Sequence, residues 1–207
     1  MGVAEFAESF VPEDAVLSAA RARADEIGVE PISPATGAVL RLLAATARAR
    51  TAVEIGTDTG VSGLYLLRGM RPDGVLTSID AEAEAQRLAR AAFNADGIPT
   101  SRARLINGRA LDVLPRLTDG AYDIVFCATD RREYPDFLPQ VIRLVRNGGL
   151  IIFDGAAIAA DPSARDAEAG ALRRLVELVR EDGRLTPAVL PVGGGLLAAI
   201  ATPADEA

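Results

Sequence analysis

Glu54, Asp80, Asp130 and Asp154 are acids that fall at or just beyond the carboxyl ends of short apolar runs. A carboxylate in such a place can accept hydrogen bonds from hydroxyls, attract a cation or take up a proton. Glu54 lies in the stretch Ala52 to Gly63, AVEIGTDTGVSG, which reads as a strand entering a glycine-rich turn that opens a helix. Gly56, Gly60 and Gly63 let the backbone turn tightly and approach a bound molecule, while Val53 and Ile55 read as buried strand. Glycines alone fit a plain strand-to-helix turn just as well. Glu54 narrows the choice, because a dinucleotide pyrophosphate at this helix N-terminus would meet a like charge, whereas a cation would be attracted. S-adenosylmethionine (SAM) carries an ammonium and a sulfonium, so the pattern favours it over NAD.

What is missing narrows the chemistry further. The chain of 207 residues contains no histidine, and all 22 cations are arginine. Histidine triads, multi-histidine metal sites, lysine Schiff bases and the phosphate-loop lysine are therefore excluded. A general base must be Asp, Glu, Tyr, Cys127 or bound water, since arginine stays protonated. The net charge of −7 argues against binding along nucleic acid, which needs clustered cations, and favours a small-molecule partner. Cys127 is the only cysteine, so no internal disulfide can form. No apolar run approaches the roughly 18 residues of a membrane span, and Glu5 and Glu8 stand where a secretory leader would be basic. The expectation is a cytoplasmic protein without a membrane partner.

The elements that must hold these residues follow from apolar periodicity. A helix is expected from Glu13 to Ile27, ended by Gly28, either as a packing element or as a lid over the ligand. A second, with Ser33 as N-cap and Pro34 at its first position, should run to about Arg48. Apolar strands are expected at Thr51 to Gly56, Val75 to Asp80, Arg102 to Asn107, Tyr122 to Cys127 and Gly149 to Asp154, alternating with helices. Such repetition predicts an α/β fold, a Rossmann-like doubly wound parallel sheet covered on both faces, in one domain over 1–207. A helix over Pro162 to Glu181 precedes two further runs, Leu185 to Pro191 and Leu196 to Ala201. These flank ValGlyGlyGly and predict a hairpin, hence a reversed last strand. The tail from Thr202 is expected to fray. In open α/β sheets ligands bind beyond the carboxyl ends of the strands, where the strand order reverses. Asp80 could there accept hydrogen bonds from ribose hydroxyls, with a turn-capping role as the plainer alternative. Ser62 could bind a carboxylate, and the turn Asn107, Gly108, Arg109, Ala110 could face an adenine edge. Ala128, small and at the end of the fourth strand, would border the same crevice.

The succession PxSPxxG, EIGTxTGxSxLxL, SID, GRALxVLPxL, YDxVF, YPxFL, GGLIIFD and VGGGLLAA, from about Ile32 to Ala201, resembles the class I SAM-dependent O-methyltransferases. Within these it is most similar to the caffeoyl-CoA and catechol type, and to the small actinobacterial members called family 3. The resemblance implies a seven-stranded sheet with a reversed last strand, and a homodimer. It also implies SAM held against Ile32, Glu54, Gly56, Thr57, Ser62, Asp80 and Ala110, with S-adenosylhomocysteine (SAH) as product.

Metal-dependent relatives carry AspAlaAspLys after the fourth strand and AspAsn at the end of the fifth. Here the same places read Ala128, Thr129, Asp130, Arg131 and Asp154, Gly155. Asp154 alone would hold a hard cation weakly, so no metal is expected, unless Asp130 swings in as a second carboxylate. Arg131 stands at the position of the usual catalytic lysine and cannot take a proton. Transfer from a sulfonium is an in-line displacement that rests chiefly on positioning. An ordinary phenol would also need a carboxylate to assist, Asp154 first and Asp130 second. The same losses fit an alternative, a SAM- or SAH-binding protein whose chemistry has decayed.

Overall fold

In the computed structural model, which describes residues 2–202, the first apolar run forms strand β1 (Thr51–Ile55), buried from Ala52 onward. β2 (Val75–Asp80) flanks it on one side, with β3 (Ala103–Asn107) beyond, all parallel. On the other side lie β4 (Tyr122–Cys127) and β5 (Val145–Asp154), also parallel. After β6 (Leu185–Leu190) the chain reverses into β7 (Leu196–Ala201), which pairs antiparallel with both β5 and β6. The order β3-β2-β1-β4-β5-β7-β6 is the doubly wound seven-stranded sheet with a reversed last strand that the alternation predicts.

A parallel sheet must be covered on both faces, since both carry apolar side chains. One face packs against α2 (Ala15–Glu26), α3 (Pro34–Thr46), α4 (Val61–Gly69) and α5 (Ala83–Ala95), through Leu17, Leu40, Leu64 and Phe93. The other is covered by α6 (Ala110–Val113), α7 (Tyr134–Leu144) and α8 (Ala167–Glu181), through Val113, Phe137 and Leu172. The chain leaves β1 toward the first face and β4 toward the second. A crevice therefore opens between the carboxyl ends of these neighbouring strands.

Several helix starts follow from side-chain caps. Asp14 accepts from Val16 N at 3.1 Å and Leu17 N at 3.0 Å, and Ser33 accepts from Thr36 N at 3.2 Å. The helix expected from Pro162 begins only at Ala167, where Asp166 accepts from Ala169 N at 2.8 Å. The stretch Ala156–Ala160 forms a short 3-10 turn. β5 starts earlier than expected, at Val145, which pairs with Tyr122 ahead of a register shift. A further helix, α1 (Val3–Phe10), was not anticipated. It buries no residue, and Glu8 ties it to the start of α3 by accepting from Ser33 Oγ and Ala35 N, both at 2.9 Å. Apart from Thr202, the tail expected to fray lies outside the described residues.

Candidate functional site

The glycine-rich turn after β1 is built into the sheet. Gly56, at φ +95, donates its N–H to Ile79 O at 2.9 Å, and Ala128 N donates to Ile55 O at 2.8 Å. A Cβ at position 56 would fall on the Ala128 carbonyl oxygen, so glycine is required here by close approach as well as by backbone angle. Gly60, at φ +87, is the N-cap of α4.

Glu54 lies beneath this turn and is completely buried. Ser62 Oγ donates to its Oε1 at 2.6 Å and Ser78 Oγ to its Oε2 at 2.5 Å, while Thr57 Oγ1 and Ser78 Oγ lie 2.7 Å apart. Burial pushes the Glu54 carboxyl up to about 8; the two serine hydroxyls oppose that shift and Asp58 and Asp80 add to it. Glu54 therefore lies beneath the turn, where burial disfavours its charged form, and not in the open crevice. Ser62 donates its hydroxyl hydrogen to Glu54.

Asp80 closes the turn from the β2 side. Its Oδ2 accepts from Thr57 N at 2.8 Å and Asp58 N at 3.1 Å, and its Oδ1 from Glu82 N at 2.8 Å. Asn107 Nδ2 in turn donates to Asp80 O at 3.2 Å and Ala81 O at 3.0 Å. The capping role weighed from the sequence is therefore present, and Asp80 also borders a cavity of about 320 Å³ with Ile27, Val29, Asp58, Glu82 and Glu84. Across the Asp58 wall lies a larger cleft of about 720 Å³, lined by Ile32, Asp58, Ala128, Asp130, Arg131 and Asp154 among others. Arg109 and Ala110 border neither cavity. Arg109 is exposed and reaches Glu133 at 3.7 Å, while Ala110 packs against the core of the second sheet face. The expected adenine-facing turn is thus not brought to the crevice by these two side chains.

The floor of the larger cleft is an ion-pair chain. Arg131 Nη2 meets Asp154 Oδ2 at 3.2 Å and Nη1 meets Glu168 Oε1 at 2.8 Å. Asp154 is only 9% exposed; burial raises its carboxyl above the usual range and the Arg131 guanidinium opposes that rise. Gly155, at φ +84, leaves the space that Arg131 fills, since a Cβ there would fall on the guanidinium. The turn between β6 and β7 pins this position, with Gly155 N and Ala156 N both donating to Gly195 O at 2.9 Å. The glycines read as a hairpin signal therefore also shape the cleft, which Gly193 and Gly194 line. Asp130 is engaged by Arg132 through both oxygens, a hydrogen bond that holds its carboxyl below the usual range. It cannot swing toward Asp154 without breaking that pair. Among the described residues, no group of three His, Cys, Asp or Glu side chains is placed to hold a metal ion.

Arg21, Asp25, Glu30 and Asp58 line the larger cleft and escaped the sequence reading. Arg21, on α2, is oriented by Glu13, which accepts from its Nε at 2.9 Å and from Tyr65 OH at 3.0 Å. Asp58 sits inside the motif EIGTxTG, and the signal available was a non-glycine acid in a glycine turn. Its φ is +44, and among the described residues no cation is paired with its carboxyl, which burial and then Asp80 push up to about 7.

The sheet order, the glycine turn at the strand switch and the acid ending β2 define a class I methyltransferase fold. A family model described as O-methyltransferase matches residues 13–201. The chain belongs to this O-methyltransferase family. A Mycolicibacterium smegmatis protein named as an O-methyltransferase is 50% identical over 197 residues, covering 94% of each chain. Among solved structures, a Corynebacterium glutamicum protein superposes with a TM-score of 0.88 at 32% identity, over 96% of this chain and 94% of its own. The O-methyltransferase TomG of Streptomyces achromogenes, involved in tomaymycin synthesis and solved in complex with SAM, gives a TM-score of 0.87 at 28% identity. That match covers 98% of this chain and all of TomG's (100%).

Proposed function

We propose that this enzyme transfers a methyl group from SAM to a hydroxyl or carboxylate of a small molecule without a divalent metal. The observation that carries the reading is the crevice at the β1/β4 switch, which a glycine turn walls and an uncompensated carboxylate, Asp58, lines. The residues present fit SAM. Gly56 leaves a cradle that a Cβ would fill, and Thr59 Oγ1 is buried with no hydrogen-bond partner among the described residues. Ile32, Gly56, Thr57, Asp80 and Ala128 would hold the cofactor, with Asp80 toward the ribose. When bound, SAM supplies an activated methyl on a sulfonium.

The residues do not fit a metal, because the Arg131 guanidinium already occupies Asp154. In this reading Asp154, whose carboxyl is raised by burial, accepts the proton of an acceptor hydroxyl, and Arg131 offsets the charge that develops on the oxygen. An acceptor carboxylate would need no base. Asp130, committed to Arg132, has no step assigned to it. The reading also includes one domain over 1–207, supported by the single sheet. It includes a homodimer as well, for which exposed Phe6, Phe10 and Leu42 offer apolar surface. A cytoplasmic setting accords with the lone, buried Cys127.

Calorimetry with SAM and with NADH between pH 6 and 8 tests the cofactor assignment. Burial raises the Glu54 carboxyl to about 8 and the Asp58 carboxyl to about 7, and a nearby cation favours their ionised forms. Binding should therefore release protons, and SAM affinity should rise with pH until both groups are ionised, by up to about tenfold per pH unit for each proton released. Tighter NADH binding, or SAM affinity that falls with pH, would contradict the assignment.

A further inference from the structure

Charge on the walls of the larger cleft is unevenly matched. Both of its cations are already engaged, Arg21 by Glu13 at 2.7 Å and Arg131 by Asp154 at 3.2 Å and Glu168 at 2.8 Å. Asp130 is answered by Arg132. Three lining acids are left over. Asp58 is one; the others are Asp25, in the last turn of α2, and Glu30, in the connection from α2 to α3, both exposed and, among the described residues, without an ion-pair partner.

Position separates the three. Asp58 also borders the cavity beside Asp80, whereas Asp25 and Glu30 line the larger cleft alone. Glu30 acts on the group to which the acceptor's proton was assigned: burial raises the Asp154 carboxyl, Arg131 opposes that rise and the charge of Glu30 adds to it. SAM, with a sulfonium, an ammonium and a carboxylate, brings one net positive charge, which matches one of the three acids. Negative charge therefore remains in surplus at the acceptor end with the cofactor in place.

Resting on the function proposed above, we infer that the methyl acceptor is a hydroxyl compound bearing a protonated amine, drawn in by Glu30 and Asp25, which repel acceptors that carry carboxylate or phosphate. Of the two acceptor groups in that reading, this selects the hydroxyl. A partly screened carboxylate near the mouth of the cleft separates a cation from an anion by about tenfold.

The test measures, by calorimetry on the full chain saturated with SAH, the binding of three para-substituted phenols that carry an aminoethyl, a hydroxyethyl or a carboxymethyl arm. The amine should bind tightest and the carboxylate weakest, about tenfold or more apart, and the gap should shrink as salt is added. Glu30→Gln keeps side-chain size at an exposed position and should narrow the gap by a factor of about three. Adding Asp25→Asn should bring the three phenols within about threefold of one another. Equal binding of the three, tighter binding of the carboxylate, binding of none by protein that holds SAH, or a gap unchanged in both variants would overturn the inference. Protein that bound neither SAM nor SAH would instead overturn the function on which it rests.

Discussion

Gly56→Ala is expected to abolish SAM binding and to lower the melting temperature by roughly 6–12 °C, the shift that about 3 kcal/mol produces in a chain of this size. Two costs combine. The φ of +95 is unfavourable for any residue with a side chain, and the added methyl would fall on the Ala128 carbonyl oxygen. Relief requires the ends of β1 and β4 to separate, yet those ends carry the hydrogen bond from Ala128 N to Ile55 O and form the wall of the cleft. Gly97→Ala separates the two costs. That glycine also has a positive φ, +73, but nothing lies within 4 Å of an added Cβ. It should cost about 1 kcal/mol and leave ligand binding untouched. Melting curves and SAM titrations of both variants check this, and a Gly56→Ala protein that melts and binds like the parent would contradict it.

Arg131→Ala is expected to reduce turnover by about 100-fold or more while changing SAM affinity less than about threefold. The substitution leaves Asp154 buried without its cation and frees Glu168. Removing a positive charge raises the Asp154 carboxyl further, so the proton acceptor stays protonated to higher pH and the acidic limb of the rate profile should move upward. Arg131→Lys should recover part of the rate, because a point charge can serve Asp154 but cannot span Asp154 and Glu168 as the planar guanidinium does. Equal losses in SAM affinity and turnover would show that Arg131 merely supports the fold.

The strands were legible because each is a near-continuous apolar run closed by a small or polar residue, and a buried parallel sheet demands that pattern. Ser33 and Pro34 marked a helix start through local chemistry, and ValGlyGlyGly marked the reversal into β7. α1 was not legible, since what holds it is tertiary: Glu8 reaches residues 25 and 27 positions away. The site divides along the same line. Glu54 was visible as an acid in the right turn, but its burial and its serine partner on β2 depend on strands meeting in space. Asp154 and Arg131 are 23 residues apart and become partners only when β5 lies beside β4. The sequence indicated a lost metal set, whereas the geometry supplies a guanidinium against the remaining carboxylate.

The most direct test of that account is methyl transfer from labelled SAM to a panel of phenols and carboxylic acids, by protein stripped with chelator and again with Mg²⁺ restored. The account predicts labelled product at the same rate in both. Turnover that appears only with Mg²⁺ would contradict it.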